Sequence, residues 1–300
     1  MRNAESKTTI YRKDYSAPDY WIDKLELSFD ITQDQTQVDA KLSVRRNSSQ
    51  KAAPLVLQGV GLELRNLEVN GQALTASDYE VDDEQLTIHQ PPEEFLLTSR
   101  CLIRPDQNTA LEGFYRSGQF LLTQCEAEGF RKITYFLDRP DVMAKYQVRI
   151  EADQTEYPVL LSNGNCIDSG DLADNRHFAL WEDPFPKPSY LFALVAGDLS
   201  YLQDSYHTTD GRQVDLKIYT EPENLDKLSY AMDSLKRSMS WDEERFGLVY
   251  DLDIYNIVAT NDFNMGAMEN KSLNIFNAKY VLASPETATD VDYQNIEAVI

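Results

Sequence analysis

Cysteine, histidine and positive charge are all scarce in these 300 residues, and none of the three scarcities is neutral. The three cysteines, Cys101, Cys125 and Cys166, are an odd number at wide, irregular spacing, which suits neither a disulfide framework nor a zinc cage. Reduced thiols in a cytoplasm are the simplest account, with Cys125 a small packed residue because no histidine partner sits nearby in sequence. The three histidines, His89, His177 and His207, are too scattered to suggest a metal site. Lys and Arg number 28 against 50 Asp and Glu, a net charge of −22. That excess argues against nucleic acid or an anionic membrane as partner, since both would repel the protein. Apolar runs are short as well: none has the length of a signal peptide's core at the amino terminus, and none approaches the ~18 to 20 residues of a membrane span. A soluble, cytoplasmic chain is expected.

What is present is enough to build real cores, with 42% apolar and 11% aromatic residues. The length exceeds what one core usually organises, so two domains, or one and part of another, are expected. From Tyr20 the pattern is β. Leu25, Leu27, Phe29 and Ile31 alternate with polar residues, and Val38, Ala40, Leu42 and Val44 repeat the alternation after a turn. Asn70-Gly71 and Asn163-Gly164 suit tight hairpin turns. Short strands continue to about Leu194, favouring an antiparallel sandwich or saddle-shaped sheet. Pro184, Pro186 and Pro188 predict a break in regular structure, and the apolar run Tyr190 to Ala196 closes a first domain at residues 1–197. In residues 198–300, Asp210-Gly211 opens a further hairpin. Leu225, Leu228, Met232, Leu235 and Met239 then make a stripe at helical spacing, stopped by Gly247. A second helix begins at Asp290, capped by Thr289 or Asp290, with Tyr293, Ile296 and Ile300 along one side.

The stretch around which function is organised is Asp262 to Asn277. It lies between two strands, Asp251 to Ala259 and Ser272 to Phe276, and contains Gly266, which lets the backbone approach another molecule closely or take a positive φ. Its only acid after Asp262 is Glu269. A glycine-containing edge ending in a carboxylate can bind an extended peptide by main-chain hydrogen bonds and hold a cation at the peptide's end.

Gly266-Ala267-Met268-Glu269-Asn270 resembles the exopeptidase signature of the zinc aminopeptidases. The flanking Asn264-Met265 and Leu273-Asn274-Ile275-Phe276-Asn277 resemble its Gram-negative aminopeptidase N branch. The likeness runs along the chain, through Asp14-Tyr15, Ala17-Pro18-Asp19-Tyr20, the run Thr123 to Arg131 and Asp183-Pro184-Phe185-Pro186-Lys187-Pro188. It implies a mostly β, then α/β protein: an antiparallel β-sandwich or saddle as amino-terminal domain, followed by the start of a thermolysin-like catalytic domain. Glu269 and Glu126 would hold the substrate's free amino group, with Gln124 and Met265 lining the pocket for its first side chain. Gly266 and Ala267 would offer main-chain groups, and Asn270 would complete the substrate-binding set. A non-proline cis peptide at Glu126-Ala127 is also implied.

The resemblance places the zinc ligands and general base, on a His-Glu-x-x-His helix, just after Glu297-Ala298-Val299-Ile300. The chain is therefore expected to be the amino-terminal fragment of a longer enzyme, with no catalytic residue and no zinc of its own. Thr134 to Pro140 depart from the pattern of eukaryotic relatives and fit the bacterial branch, and Ser272 stands where glycine is frequent. Two other readings compete. One is the leukotriene-hydrolase branch, against which the bacterial flanks argue; the other is an inactive fragment or peptide-binding module that captures amino termini without cutting them.

Overall fold

The structure, a computed structural model, describes Thr9 and residues 11–300. Strict alternation makes the first hairpin: Leu25, Leu27, Phe29 and Ile31 on Tyr20–Ile31 pack beside Val38, Ala40, Leu42 and Val44 on Thr36–Arg46, all buried. These strands sit in the middle of an eight-stranded sheet, antiparallel throughout except where Tyr20–Ile31 runs parallel to Ala144–Asp153. Beside it stand a three-stranded sheet and a four-stranded one, the latter built from Val159–Ser162, Leu194–Gly197, Phe120–Gln124 and Gly113–Ser117. From Ser200 onward the strands form a five-stranded sheet in the order Ser200–His207, Gln213–Thr220, Ile254–Thr260, Leu273–Asn277, Ala267–Met268. A mostly β architecture with antiparallel sheets, followed by a mixed sheet and helices, is thus the fold.

Between the sheets lies an aromatic core in which Phe130 touches Phe136, Tyr146 and Phe192, at ring-centroid distances of 5.1, 6.2 and 5.2 Å. Phe130 belongs to the Thr123 to Arg131 run, so burying it ties that run to the middle of the molecule. The same core takes in Val258, Met268, Leu273 and Ile275 from the five-stranded sheet. Apolar packing therefore continues across the join.

The helix Ser229–Phe246 ends at Gly247, whose φ of 65° is the left-handed cap that glycine tolerates best. Leu225 is not part of it: the preceding turn, Pro222–Lys227, is a 3₁₀ segment and leaves Leu225 exposed. The helix Asp290–Val299 is capped by Thr289, in a reciprocal pair with Asp292. Its Ile296 is fully buried, and Tyr293 meets the ring of Tyr230 at 4.7 Å.

Two expectations fail for tertiary reasons. Asn163-Gly164 is no hairpin turn, because Val159–Ser162 and Asn165–Asp171 belong to different sheets. Nor do the prolines end the strand before them, since Arg176–Lys187 runs through Pro184 and Pro186. Its partner strand advances from Ala144 to Tyr146 while it advances from Lys187 back to Asp183. The prolines thus occupy a bulge, where a missing N–H breaks no ladder bond.

That bulge buries charge. Lys187 and Asp183 are 3% and 0% exposed at the side chain, 3.1 Å apart, and the ammonium lies 3.8 Å from the centre of the Tyr146 ring. Burial lowers the Lys187 pKa from its ordinary 10.5 to about 8, against the pull of Asp183 and with help from Lys271. The folded lysine thus holds its proton less tightly than the unfolded one. The unfolded state carries more protons between about pH 8 and 10.5, and stability should rise with pH across that window. Urea midpoints between pH 8 and pH 10 should show the wild type gaining on Lys187→Met, by at most about 1.4 kcal/mol per pH unit. A flat or falling difference would contradict the buried ammonium.

Candidate functional site

Gln124 ends the strand Phe120–Gln124 and is fully buried. Its Nε2 donates to Met265 Sδ at 3.0 Å and, more weakly, to the Glu126 carbonyl at 3.5 Å, while its Oε1 has no protein partner. Cys125 follows, a packed free thiol whose pKa is pushed well up by burial. Glu126 is half-buried, and the Glu126-Ala127 peptide is cis, the form that the resemblance implies. The chain then turns back on itself, the Gly129 N–H donating to the Cys125 carbonyl at 2.8 Å. Glu128 points away: it is exposed and pairs with Arg131 at 3.2 Å, on a turn rather than a strand face.

The second motif is carried on the outermost strand of the five-stranded sheet. Ala267 pairs with Phe276 and Met268 with Ile275, and the Asn277 N–H donates to the Gly266 carbonyl at 2.9 Å. Hydrogen bonding alternates along an antiparallel pair, so the Ala267 N–H and C=O point outward from the open edge. Gly266 has no positive φ; it serves close approach, since a Cβ there would lie 3.3 Å from the Tyr280 ring. Met265 is 38% exposed and Glu269 is exposed, whereas Asn270 is buried with both side-chain amide atoms unpartnered. An unpartnered buried amide costs about 1 to 3 kcal/mol, and features of this kind concentrate where a ligand or water completes the set.

The sandwich holds the start of this segment. Tyr115 donates its hydroxyl to the Asp262 carbonyl at 2.9 Å, and Ser117 Oγ donates to Asp262 Oδ2 at 2.8 Å while sharing a 2.9 Å bond with Thr260 Oγ1. Burial, and then the Asp262 charge, push the Tyr115 phenol well above its ordinary pKa, so it remains a donor. Further along, Asn163 donates to the Lys271 carbonyl at 2.8 Å, and the Gly164 N–H to Ser272 Oγ at 2.6 Å. Sequence reasoning missed Tyr115, Ser117 and Asn163. Each meets a partner more than a hundred positions away, so no local pattern marks them.

The Gln124 to Met265 contact therefore brings the two motifs together: Gln124 and Glu126 come from the four-stranded sheet, and Met265 to Asn270 from the five-stranded one. What this arrangement offers is a carboxylate on each motif, an outward-facing main-chain donor and acceptor at Ala267, and a thioether beside a buried amide. That is equipment for a cationic, extended ligand. It is not equipment for a metal: among the described residues no three His, Cys, Asp or Glu side chains are grouped to hold one. His177, for instance, pairs its Nε2 with the Tyr157 carbonyl at 2.7 Å. The residues present do not fit zinc, and no step is derived through it.

Comparison with known proteins gives the same direction. Residues 11–191 match the Peptidase M1 N-terminal domain, and residues 230–300 match the Peptidase family M1 domain. The chain is 55% identical over 287 residues to the aminopeptidase N of Caulobacter vibrioides, covering 96% of this chain and 33% of that one. It is likewise 55% identical over 291 residues to the aminopeptidase N of Escherichia coli, covering 97% and 33%. Among solved structures, an aminopeptidase A of Legionella pneumophila in complex with aspartic acid superposes with a TM-score of 0.91 at 35% identity, over 96% of this chain and 34% of that one. The chain thus spans about a third of the length of the curated relatives it matches. With the amino-terminal family model alone covering more than half of it, and with both halves of the candidate site lying in matched segments, this chain belongs to peptidase family M1.

Proposed function

We propose that these residues form the amino-terminus recognition part of a zinc-dependent aminopeptidase that removes residues one at a time from the free end of peptides. The observation that carries this reading is the Gln124 to Met265 contact, which sets the Glu126 motif beside the Glu269 motif at an open strand edge. An α-amino group has a pKa of about 8 and is mostly charged at neutral pH. Its three protons suit more than one carboxylate acceptor, and fixed acceptors one residue away from a scissile bond would act as a ruler. Ala267 would bind the substrate backbone, Gln124 and Met265 would wall the first side chain, and Asn270 would supply its unpartnered amide. Met265 suits a pocket that takes several side chains, since its thioether is flexible and polarizable.

Family M1 is zinc-dependent in general; in the complete enzyme the metal would activate water and polarise the carbonyl, with ligands and general base outside these residues. The 300 residues alone would then be inactive, divided as a sandwich over 1–197 and an incomplete thermolysin-like domain over 198–300. The partners would be peptides with a free amino terminus, in the cytoplasm, with neither nucleic acid nor membrane involved. No helix among the described residues is long and apolar enough to cross a membrane.

The test uses the protein from its full reading frame, an amino-acid anilide and the same anilide acetylated at its amino group. Hydrolysis of the free anilide alone, abolished by a chelator and restored by zinc, is the expected result. Equal hydrolysis of both would remove the ruler. No hydrolysis of either, with retained binding of free peptides, would favour a peptide-binding module.

A further inference from the structure

The Asp183 to Pro188 motif has no part in the site described above, yet its bulge reaches the residue that follows Glu269-Asn270. The Lys271 ammonium lies 3.8 Å from the centre of the Phe185 ring and 2.8 Å from Asp251 Oδ2. Phe185 is itself oriented by its N–H, which donates to the buried Asp183 Oδ1 at 3.1 Å. The Lys271 carbonyl accepts from Asn163 Nδ2 at 2.8 Å, and that amide is anchored in turn by the Leu191 carbonyl and the Ala193 N–H, at 3.1 and 2.7 Å. Ser272 holds a φ of 63°, and its Oγ accepts from the Gly164 N–H at 2.6 Å and faces the Gly164 carbonyl at 3.4 Å. Gly164 cannot yield: a Cβ there would meet the Glu182 carbonyl oxygen at 2.0 Å.

Resting on the reading of Glu269 as an amine-binding group, we infer that Phe185, Asn163 and Ser272 are positioning residues that clamp Lys271-Ser272 to the sandwich and so set where the Glu269 carboxylate stands. One anchor is cation–π, one is main-chain, and one is a hydroxyl on a left-handed residue. Together they fix the chain immediately after the motif, as Tyr115 and Ser117 fix it before. A carboxylate that must meet an ammonium at one distance from the scissile bond needs both ends of its segment held, because a displacement of about 1 Å can cost a hundredfold in rate.

Phe185 is 36% exposed, so its removal leaves the core intact. In the protein from its full reading frame, Phe185→Ala and Ser272→Gly should each raise amide hydrogen exchange across residues 264–272 about tenfold. Each should also raise KM for an amino-acid anilide about tenfold, with kcat within about twofold, the pattern of lost ground-state positioning. Phe185→Tyr keeps a ring under the ammonium and should restore both readouts. Phe178→Ala removes a cation–π contact of the same 3.8 Å, to Arg149, farther along the same strand, and should change neither. Exchange and KM at wild-type values in Phe185→Ala and Ser272→Gly would overturn the clamp, as would an equal response to Phe178→Ala. If the wild type hydrolyses no anilide while exchange still responds, the aminopeptidase reading falls and the clamp stands.

Discussion

Glu269→Ala in the protein from its full reading frame should lower kcat/KM on an amino-acid anilide by about 30- to 1000-fold. This corresponds to the roughly 2 to 4 kcal/mol expected when one charged contact to a bound ammonium is lost. Glu269 is exposed on the loop after an edge strand, so its truncation leaves no buried group stranded, and the melting temperature should stay near wild type. Loss of rate without loss of stability separates a ligand-binding carboxylate from a structural one. Glu269→Gln keeps the shape and one acceptor but removes the charge, and should fall between the two. Glu126→Ala should act in the same direction, because the ammonium's protons are shared. Full activity in Glu269→Ala, with KM and kcat both unchanged, would sink its assignment as the amine-binding group.

Gly129→Ala should have the largest effect on stability. A Cβ at this position would lie 2.3 Å from the Gln124 carbonyl oxygen and 2.9 Å from both Cys125 Cα and the Gly113 nitrogen. All three are backbone atoms, which cannot rotate aside as a flexible side chain would. Gly113 is itself confined, at a φ of 76° with its own Cβ position 2.7 Å from Lys132 Cβ. Overpacking of this kind costs typically 1 to 3 kcal/mol and more where nothing can give, so about 3 kcal/mol or above is expected. For a chain of this size that is a melting temperature lower by about 6 to 12 °C. The clash falls on the turn that carries Gln124 and Glu126, so substrate binding should weaken as well. Gly71→Ala is the comparison: its φ is 77° but nothing lies within 4 Å of the added methyl. It should cost only the backbone strain, about 1 kcal/mol. If the two variants melt together, the turn is looser than its distances state.

The sequence and structure agree where physics is local. Alternation of apolar residues placed the Tyr20–Ile31 and Thr36–Arg46 hairpin because a strand's period of two is written in consecutive residues. Gly247 marked the end of a helix, and Thr289 the start of another, for the same reason. The two motifs were legible by resemblance, and the edge character of the second by its glycine and its flanking strands.

Where partners are distant, local signals misled. Asn163-Gly164 has the composition of a hairpin turn, yet its neighbours pair in different sheets and its amide holds Lys271. Pro184 and Pro186 are strand breakers by chemistry but sit in a bulge where the partner strand asks for no N–H. By itself, then, the sequence determined the strand and helix types, the acidic character and the family, because each is carried by neighbouring residues or by motif. Only the tertiary structure decided that Gln124 meets Met265, that Ser117 and Tyr115 hold Asp262, and that Phe185 lies under Lys271. Those contacts join residues far apart in the chain, and only the packing of one sheet against another brings them within reach.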